Sequence, residues 1–166
     1  AGFRVLDGGE LENALTHYRR HLASLTPQKI GQIQGLHALT RPLNSLGSLD
    51  ARDPHIPAMC TAAESAGDVE VLIAAPASDD PDDVGAIAVS VARLREFAAS
   101  LDFMDTDESM VPKGASEWPE RAKRIVFPEL ELPWTLLSPA GHWGLVISDA
   151  SDFVVLSGSE EFIEVY

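Results

Sequence analysis

Apolar residues recur at intervals of three and four near the start of the chain, in the segment GELENALTHYRRHLASLTP. This spacing is typical of a half-buried helix, and its stripe consists of Leu11, Leu15, Tyr18, Leu22 and Leu25. Thr26 and Pro27 suit the N-cap and first position of a second helix that ends before Pro42. We therefore expect an antiparallel helical hairpin at the N-terminus.

The next part of the chain changes from turn signals to an alternating pattern. Residues 41–57 contain three prolines and a glycine, which is typical of a linker or an irregular crossing. A short helix is predicted over residues 57–66, stopped by Gly67. The segment DVEVLIAA then alternates as a strand that is covered on at least one face.

The segment VGAIAVSVARLREFAASL again has apolar residues at helical spacing, at Val84, Ile87, Val91, Leu94, Phe97, Ala98 and Leu101. Directly before it stands ASDDPDDVGA, in which Asp80 suits an N-cap and Pro81 the first helical position. These residues predict a strand, a short acidic loop and a helix. A further helix is expected around SEWPERAKRIVF, with Pro119 in or near its first turn.

The last third of the chain predicts an antiparallel meander. Strands are expected over residues 134–137, 143–148 and 153–157, joined by turns at SPAG and DASD. A terminal helix or strand follows, capped by Ser157 or Ser159.

Helices followed by strands place the chain in the α+β class. Its 166 residues fit a single two-layer domain spanning 1–166. Within that domain we expect a helical N-terminal portion over 1–56 and an acidic α/β portion over 57–166. The hydrophobic content of 45% supports a packed core rather than disorder.

The net charge of −14 is distributed unevenly. Residues 1–60 carry six basic and five acidic side chains, whereas residues 61–166 carry six basic and twenty-one acidic ones. Because nucleic acids and anionic membranes are bound through Lys and Arg, neither is expected as a partner. The acidity favours a basic protein partner, or it reflects a bias shared by the whole proteome. The sequence gives no preference between a monomer and an oligomer.

No targeting or membrane segment is predicted. The first residues show no basic region followed by an apolar stretch, and no apolar run reaches the roughly 18 residues of a membrane span. The one cysteine, Cys60, excludes an internal disulfide and is expected to be buried and structural. The simplest location is cytoplasmic.

Metal and cofactor sites are not predicted. His17 and His21 lie four residues apart, but YRR stands between them instead of the HExxH pattern of a zinc site, so we expect a solvated helix face. DTDES at 105–109 lacks the later glycine and glutamate of a calcium loop. The loop ASDDPDDVGA contains aspartates where a phosphate-binding loop has glycine and lysine, which argues against a nucleotide.

No motif for nucleophilic catalysis is present, since the chain lacks GxSxG and any serine–histidine–acid spacing. His142, at a predicted turn in AGHWG, is the histidine around which a site from distant residues could form. An enzyme is therefore the less favoured interpretation. If one exists, it would show a pocket holding His142 or Cys60 near carboxylates.

The favoured hypothesis is a non-enzymatic protein-binding module, an inhibitor or immunity-type protein. Clustered carboxylates next to an exposed aromatic side chain would capture and then anchor a basic partner. The candidate binding residues are Asp79, Asp80, Asp82, Asp83, Asp105, Asp107, Glu108 and Trp143. Immunity proteins that neutralise nuclease toxins are similar in size and charge, and the closing segments GHWGLVISD and SGSEEFIEVY resemble their C-terminal ends. A third hypothesis is a structural subunit that docks through an exposed apolar stripe on its N-terminal helices.

Overall fold

The fold comes from a computed structural model, which describes residues 3–22, 37–42, 55–80, 82–100, 119–126, 134–148 and 153–165. The strands are β1 (Phe3–Val5), β2 (His37–Pro42), β3 (Glu70–Pro76), β4 (Val84–Ser90), β5 (Trp134–Leu137), β6 (Gly144–Ser148) and β7 (Phe153–Gly158). The helices are α1 (Gly8–Leu22), α2 (His55–Ser65), α3 (Val91–Ser100), α4 (Glu120–Val126) and α5 (Glu160–Val165).

The seven strands of the described residues form one sheet in the order β1-β4-β3-β5-β6-β7-β2. Every neighbouring pair is antiparallel. The predicted meander is confirmed, since β5, β6 and β7 are consecutive neighbours with the expected bounds to within one residue. The α+β class is therefore confirmed.

Helices cover both faces of this sheet, so the arrangement has three layers rather than the two predicted. On one face, Ala14 and Tyr18 of α1 pack with Leu72 and Ala74 of β3. The neighbouring positions of β3 point to the opposite face, where a larger core holds side chains of α2, α3, α4 and α5. Alternate burial along β3 on both faces follows from the period-2 geometry of a strand.

The burial of α1 also bears on the docking hypothesis. Ala14 and Tyr18 are buried, and Leu11 packs against the same cluster. Tyr18 and Leu11 of the α1 stripe therefore contact the chain's own sheet, which leaves these two side chains unavailable as an exposed docking stripe.

The predicted helix over residues 84–101 is wrong in its first half, because residues 84–90 form strand β4. Ile87 and Val89 point to the large core, while Ala86 and Ala88 point to α1. A strand buried on both faces has a nearly continuous apolar sequence, in which the periods of a helix and a strand are hard to separate. The strand–loop–helix prediction is thereby replaced by a β3–β4 hairpin followed by α3.

The N-terminal hairpin of helices is confirmed only in its first member, α1. The segment 37–42, predicted as the end of the second helix, is strand β2 and pairs along its whole length with β7. Pairing with a neighbouring strand has overridden the local helical spacing. The rest of that predicted helix, residues 23–36, lies outside the described residues.

Several helix ends follow the predicted signals. Gly67 has φ of 88° and ends α2, with the N–H of Gly67 bonded to the Glu64 carbonyl and that of Asp68 to the Ala63 carbonyl, the pattern of a Schellman motif. The Ser159 hydroxyl accepts the N–H of Phe162 at 3.2 Å and so caps α5. Within the described parts of the chain, no helix has the length and apolar character needed to cross a membrane.

Candidate functional site

The four aspartates of ASDDPDDVGA lie in the turn of the β3–β4 hairpin. The N–H of Asp83 donates to the Asp80 carbonyl at 3.0 Å, and the N–H of Ala77 donates to the Asp83 carbonyl at 2.7 Å. The Asp80 carboxylate accepts the N–H of Asp82 at 2.9 Å, which forms an Asx turn. Asp80 therefore caps a turn, and its predicted role as a helix N-cap is wrong because a strand follows at Val84.

Two of these carboxylates bind arginines of α4. Arg121 donates to both oxygens of Asp83, at 3.0 and 2.7 Å, and Arg124 donates to Asp79 at 2.8 Å. The hydrogen bonds from Arg121 are the largest cause of an Asp83 pKa lowered to about 2, and a bond from Ser78 adds to them. The hairpin tip is thus held against α4.

The apolar side of α4 also holds this helix against the β3–β4 hairpin. Ala122 and Ile125 are buried in the large core, and Ile125 lies over Gly85 of β4. A Cβ at Gly85 would come within 2.7 Å of Ile125 Cδ1, so a glycine is needed for this close approach. Burial on one side and ion pairing on the other together set the position of α4 beside the hairpin.

The tip still presents negative charge to solvent. Asp80 and Asp82 are exposed, and the Asp79 side chain is 85% exposed despite its contact with Arg124. We define these three residues as the acidic tip. The other predicted acidic residues, Asp105, Asp107 and Glu108, lie outside the described residues.

Trp143, predicted as an exposed anchor beside the acidic loops, is buried at 1% exposure, so that expectation is wrong. Its ring stacks on Phe162 with centroids 4.9 Å apart and planes 9° apart. Its indole N–H donates to the Asp68 carboxylate at 2.7 Å. Trp143 therefore connects α5 to the turn after α2, and its position two residues before the buried Leu145 is the sequence signal for an inward side chain.

A second polar region lies on the α1 face of the sheet, where His21 meets β7 and the β5–β6 turn. His21 is 0% exposed. Its Nδ1 lies 2.5 Å from the Ser157 hydroxyl and its Nε2 lies 3.2 Å from the Gly141 carbonyl oxygen. Because a carbonyl only accepts, Nε2 carries the proton and Nδ1 accepts from Ser157. We call His21, Ser157 and Gly141 the histidine corner.

Two glycines make room for this corner. A Cβ at Gly144 would lie 2.5 Å from His21 Cγ, and a Cβ at Gly141 would overlap the ring of His17. Gly141 also has φ of 76°, a conformation that favours glycine. The expectation that His17 and His21 lie on a solvated helix face is wrong, because this face of α1 packs on the glycines of AGHWG.

The β5–β6 turn that presents Gly141 is held by Ser138. Its carbonyl accepts the N–H of Gly141 at 3.0 Å, and its hydroxyl accepts the N–H of His142 at 2.7 Å. His142 is exposed on the outside of this turn. The structure therefore brings His17, His21 and His142 to one turn, a grouping that sequence spacing alone does not indicate.

The environment of the histidine corner favours neutral imidazole. Burial is the largest cause of a His21 pKa lowered to about 4, and the charges of Arg20 and His17 lower it further. The bond to Gly141 raises this pKa, and the C-terminal end of α1 would also favour a cation by about 0.3–1 kcal/mol. Burial outweighs both, so His21 is neutral at pH 7. The His17 pKa is also lowered, first by burial.

A serine hydroxyl bonded to a neutral imidazole is the arrangement of an activated nucleophile and its base. Here Ser157 is 1% exposed and His21 is fully buried, so the pair is covered by α1 and does not face a substrate. Among the described residues, no group of three His, Cys, Asp or Glu side chains is placed to hold a metal ion.

Cys60 is fully buried in the large core, as the sequence predicts. Burial is the main cause of a Cys60 pKa raised to about 11, so the thiol stays protonated and unreactive at neutral pH. The acidic tip is an exposed polar cluster, and the histidine corner is a buried one.

Comparisons of the chain with protein-family models, with curated proteins and with solved structures each find no match.

Proposed function

We propose that this protein is a non-enzymatic binding module, an inhibitor or immunity-type protein, that captures a basic protein partner at the acidic tip. The observation that carries the proposal is the placement of Asp79, Asp80 and Asp82 together at the exposed end of one hairpin. Had these aspartates capped a helix, as their sequence suggests, their charge would have been used to stabilise it.

The ion pairs to α4 support binding by holding the tip in one conformation. Arg121 and Arg124 restrain Asp83 and Asp79, while the Asx turn restrains Asp80. A loop that is ordered before binding loses less conformational entropy when a partner docks. Asp80 and Asp82 remain exposed to receive the cations of that partner.

The charge of the whole chain supports the same partner class. A net charge of −14 accelerates the encounter with a basic protein at low ionic strength. A cytoplasmic location is part of the proposal and accords with one buried, unpaired cysteine.

The test is a titration of the ¹⁵N-labelled protein with a peptide of ten arginines at low and at physiological salt. We expect chemical-shift changes centred on residues 79–83, weakening as salt rises. The variant D80N/D82N keeps the side-chain oxygen that forms the Asx turn but removes two charges. It should weaken binding at least fivefold.

The matched control is E160Q/E161Q, which removes two neighbouring exposed carboxylates from α5. If both double variants weaken binding of the peptide equally, the tip is only one part of a diffuse acidic surface and the proposal fails. Shift changes that avoid residues 79–83 would have the same meaning.

A second candidate, an enzyme with a site assembled around His142, is favoured by one observation, the pairing of Ser157 with His21 beside that turn. A fluorophosphonate probe tests it, since such a probe labels serines activated by a base. Labelling of Ser157 that is lost in His21→Gln would favour the enzyme. An unlabelled Ser157 would favour the binding module.

A further inference from the structure

The histidine corner joins three parts of the chain that are distant in sequence. His21 stands one residue before the end of α1, Gly141 lies in the β5–β6 turn and Ser157 lies on β7. Gly144 of β6 lies directly beneath the imidazole. One side chain therefore fastens the C-terminal end of α1 to two separate sites on the sheet.

We propose that the His21–Ser157 contact is a pH-sensitive latch, which holds the C-terminal half of α1 on the sheet at neutral pH and weakens in acid. In the latched state, Nε2–H donates to the Gly141 carbonyl and the Ser157 hydroxyl donates to Nδ1. While the imidazole is neutral and Nδ1 is bare, Nε2–H has an acceptor and Nδ1 has a donor.

Protonation changes the donors in a defined way. A proton taken from solvent by Nδ1 turns that atom into a donor, so the Ser157 oxygen must accept and its own hydrogen must point elsewhere. The Gly144 carbonyl, 3.4 Å from the Ser157 oxygen, accepts it. His21 and Ser157 therefore each keep a hydrogen bond, but the imidazolium ion places a positive charge in a buried site.

Among the described residues, the charged groups near His21 oppose that charge. Arg20 and His17 of α1 both oppose it, and His142, on the turn, opposes charge on the adjacent His17. From the sheet, β6 contributes Gly144 and β7 contributes Ser157, which are uncharged. Hydration of the imidazolium requires the end of α1 to lift, so acid favours the lifted state.

The size of the pH effect on the lifted population follows from the difference between the His21 pKa values of the latched and lifted states. His21 titrates at about 4 in the latched state and near 6.5 once hydrated. The lifted population therefore rises as pH falls below 6.5, by about 20-fold at pH 5 and about 100-fold at pH 4 relative to pH 7.

Amide hydrogen exchange measured by NMR and corrected for the intrinsic effect of pH tests the latch. We expect the amides of residues 17–22 to lose protection by these factors and, at every pH, to be less protected than the amide of Ile73, central in the sheet on β3, which exchanges through global unfolding. Equal protection at both places at every pH would mean that α1 opens only when the whole fold unfolds and would overturn the latch.

Two variants separate His21 from other titrating groups. His21→Gln cannot be protonated and keeps a donor for Gly141, so the pH dependence of exchange in residues 17–22 should fall to the smaller part that His17 contributes, since burial also lowers the His17 pKa. His142→Gln removes the exposed imidazole of the same turn and should leave the pH dependence unchanged. A pH dependence that survives undiminished in His21→Gln contradicts the proposal.

A measurement on the unmodified protein keeps the test valid if His21→Gln fails to fold. Imidazole ¹⁵N shifts at pH 7 should show His21 as the neutral tautomer with the proton on Nε2. Its titration should coincide with the loss of protection in residues 17–22. The opposite tautomer, or titration without loss of protection, would overturn the latch.

Discussion

The acidic tip and the histidine corner are both polar clusters on one sheet, and they differ in how their charges are stabilised. At the tip, Asp80 and Asp82 are exposed to water, and arginines of α4 bind Asp79 and the adjacent Asp83. The corner keeps His21 neutral under a helix. Water and salt screen the charges of the acidic tip. Burial makes the free energy of unfolding depend strongly on the packing and the protonation state of the histidine corner.

This contrast predicts where changes will matter. Substitutions at the tip should alter binding with little change in the free energy of unfolding, because exposed ion pairs contribute little to it. Substitutions or protonation at the corner should alter the free energy of unfolding. Four measurements test or refine this contrast.

The largest effect should come from protonation of His21. Because its pKa is lower in the folded state, its contribution to stability is complete above pH 6.5 and is lost as pH falls toward 4. We expect a loss of about 3 kcal/mol over this window. Urea unfolding of the unmodified protein and of His21→Gln at several pH values isolates the contribution of His21, since protonation of the carboxylates changes the free energy of unfolding of both proteins alike. Parallel curves would contradict the buried, neutral state of His21.

The next effect should come from filling the space beneath the imidazole. Gly144→Ala places a Cβ 2.5 Å from His21 Cγ, and overpacking of this kind destabilises a fold by about 2 kcal/mol. The control is Gly9→Ala in α1, where a Cβ meets nothing within 4 Å. It should be neutral or slightly stabilising. Equal unfolding free energies for the two variants would mean that α1 is not packed on Gly144.

The same contrast separates what the sequence could predict from what it could not. The meander, α2 with its Gly67 stop and the α5 cap depend on neighbouring residues, and sequence patterns indicated them. β4 was missed because an apolar run that is buried on both faces, as in VGAIAVS, fits a helix as well as a strand.

The histidine corner could not be predicted because His21 is 120 residues from Gly141 and 136 residues from Ser157 in the chain. The acidic residues of the tip were recognisable as a cluster, but the sequence placed them at a helix start. The binding of Asp83 by Arg121 depends on a contact 38 residues away. Local pattern indicated which residues are charged, and topology decided which of them meet.

A smaller effect is expected at Trp143, the predicted surface anchor that the structure buries. Trp143→Phe keeps a ring against Phe162 but loses the hydrogen bond to Asp68, which should cost about 1 kcal/mol. Asp68→Asn keeps an acceptor oxygen and should cost less. A double-mutant cycle of Trp143→Phe with Asp68→Ala measures the coupling. No coupling would mean that the indole N–H does not bind Asp68 in solution.

The smallest effect on stability should come from the ion pair beside the tip. Arg121→Gln removes the bidentate partner of Asp83, and the urea midpoint at pH 7 should fall only slightly, because the pair is exposed and water screens it. By linkage, the lowered pKa of Asp83 should rise by a correspondingly small amount, which a ¹³C titration of the carboxyl group detects. A shifted midpoint with an unchanged pKa would reverse the contrast, since the arginine would then act through packing and the tip would resemble the corner.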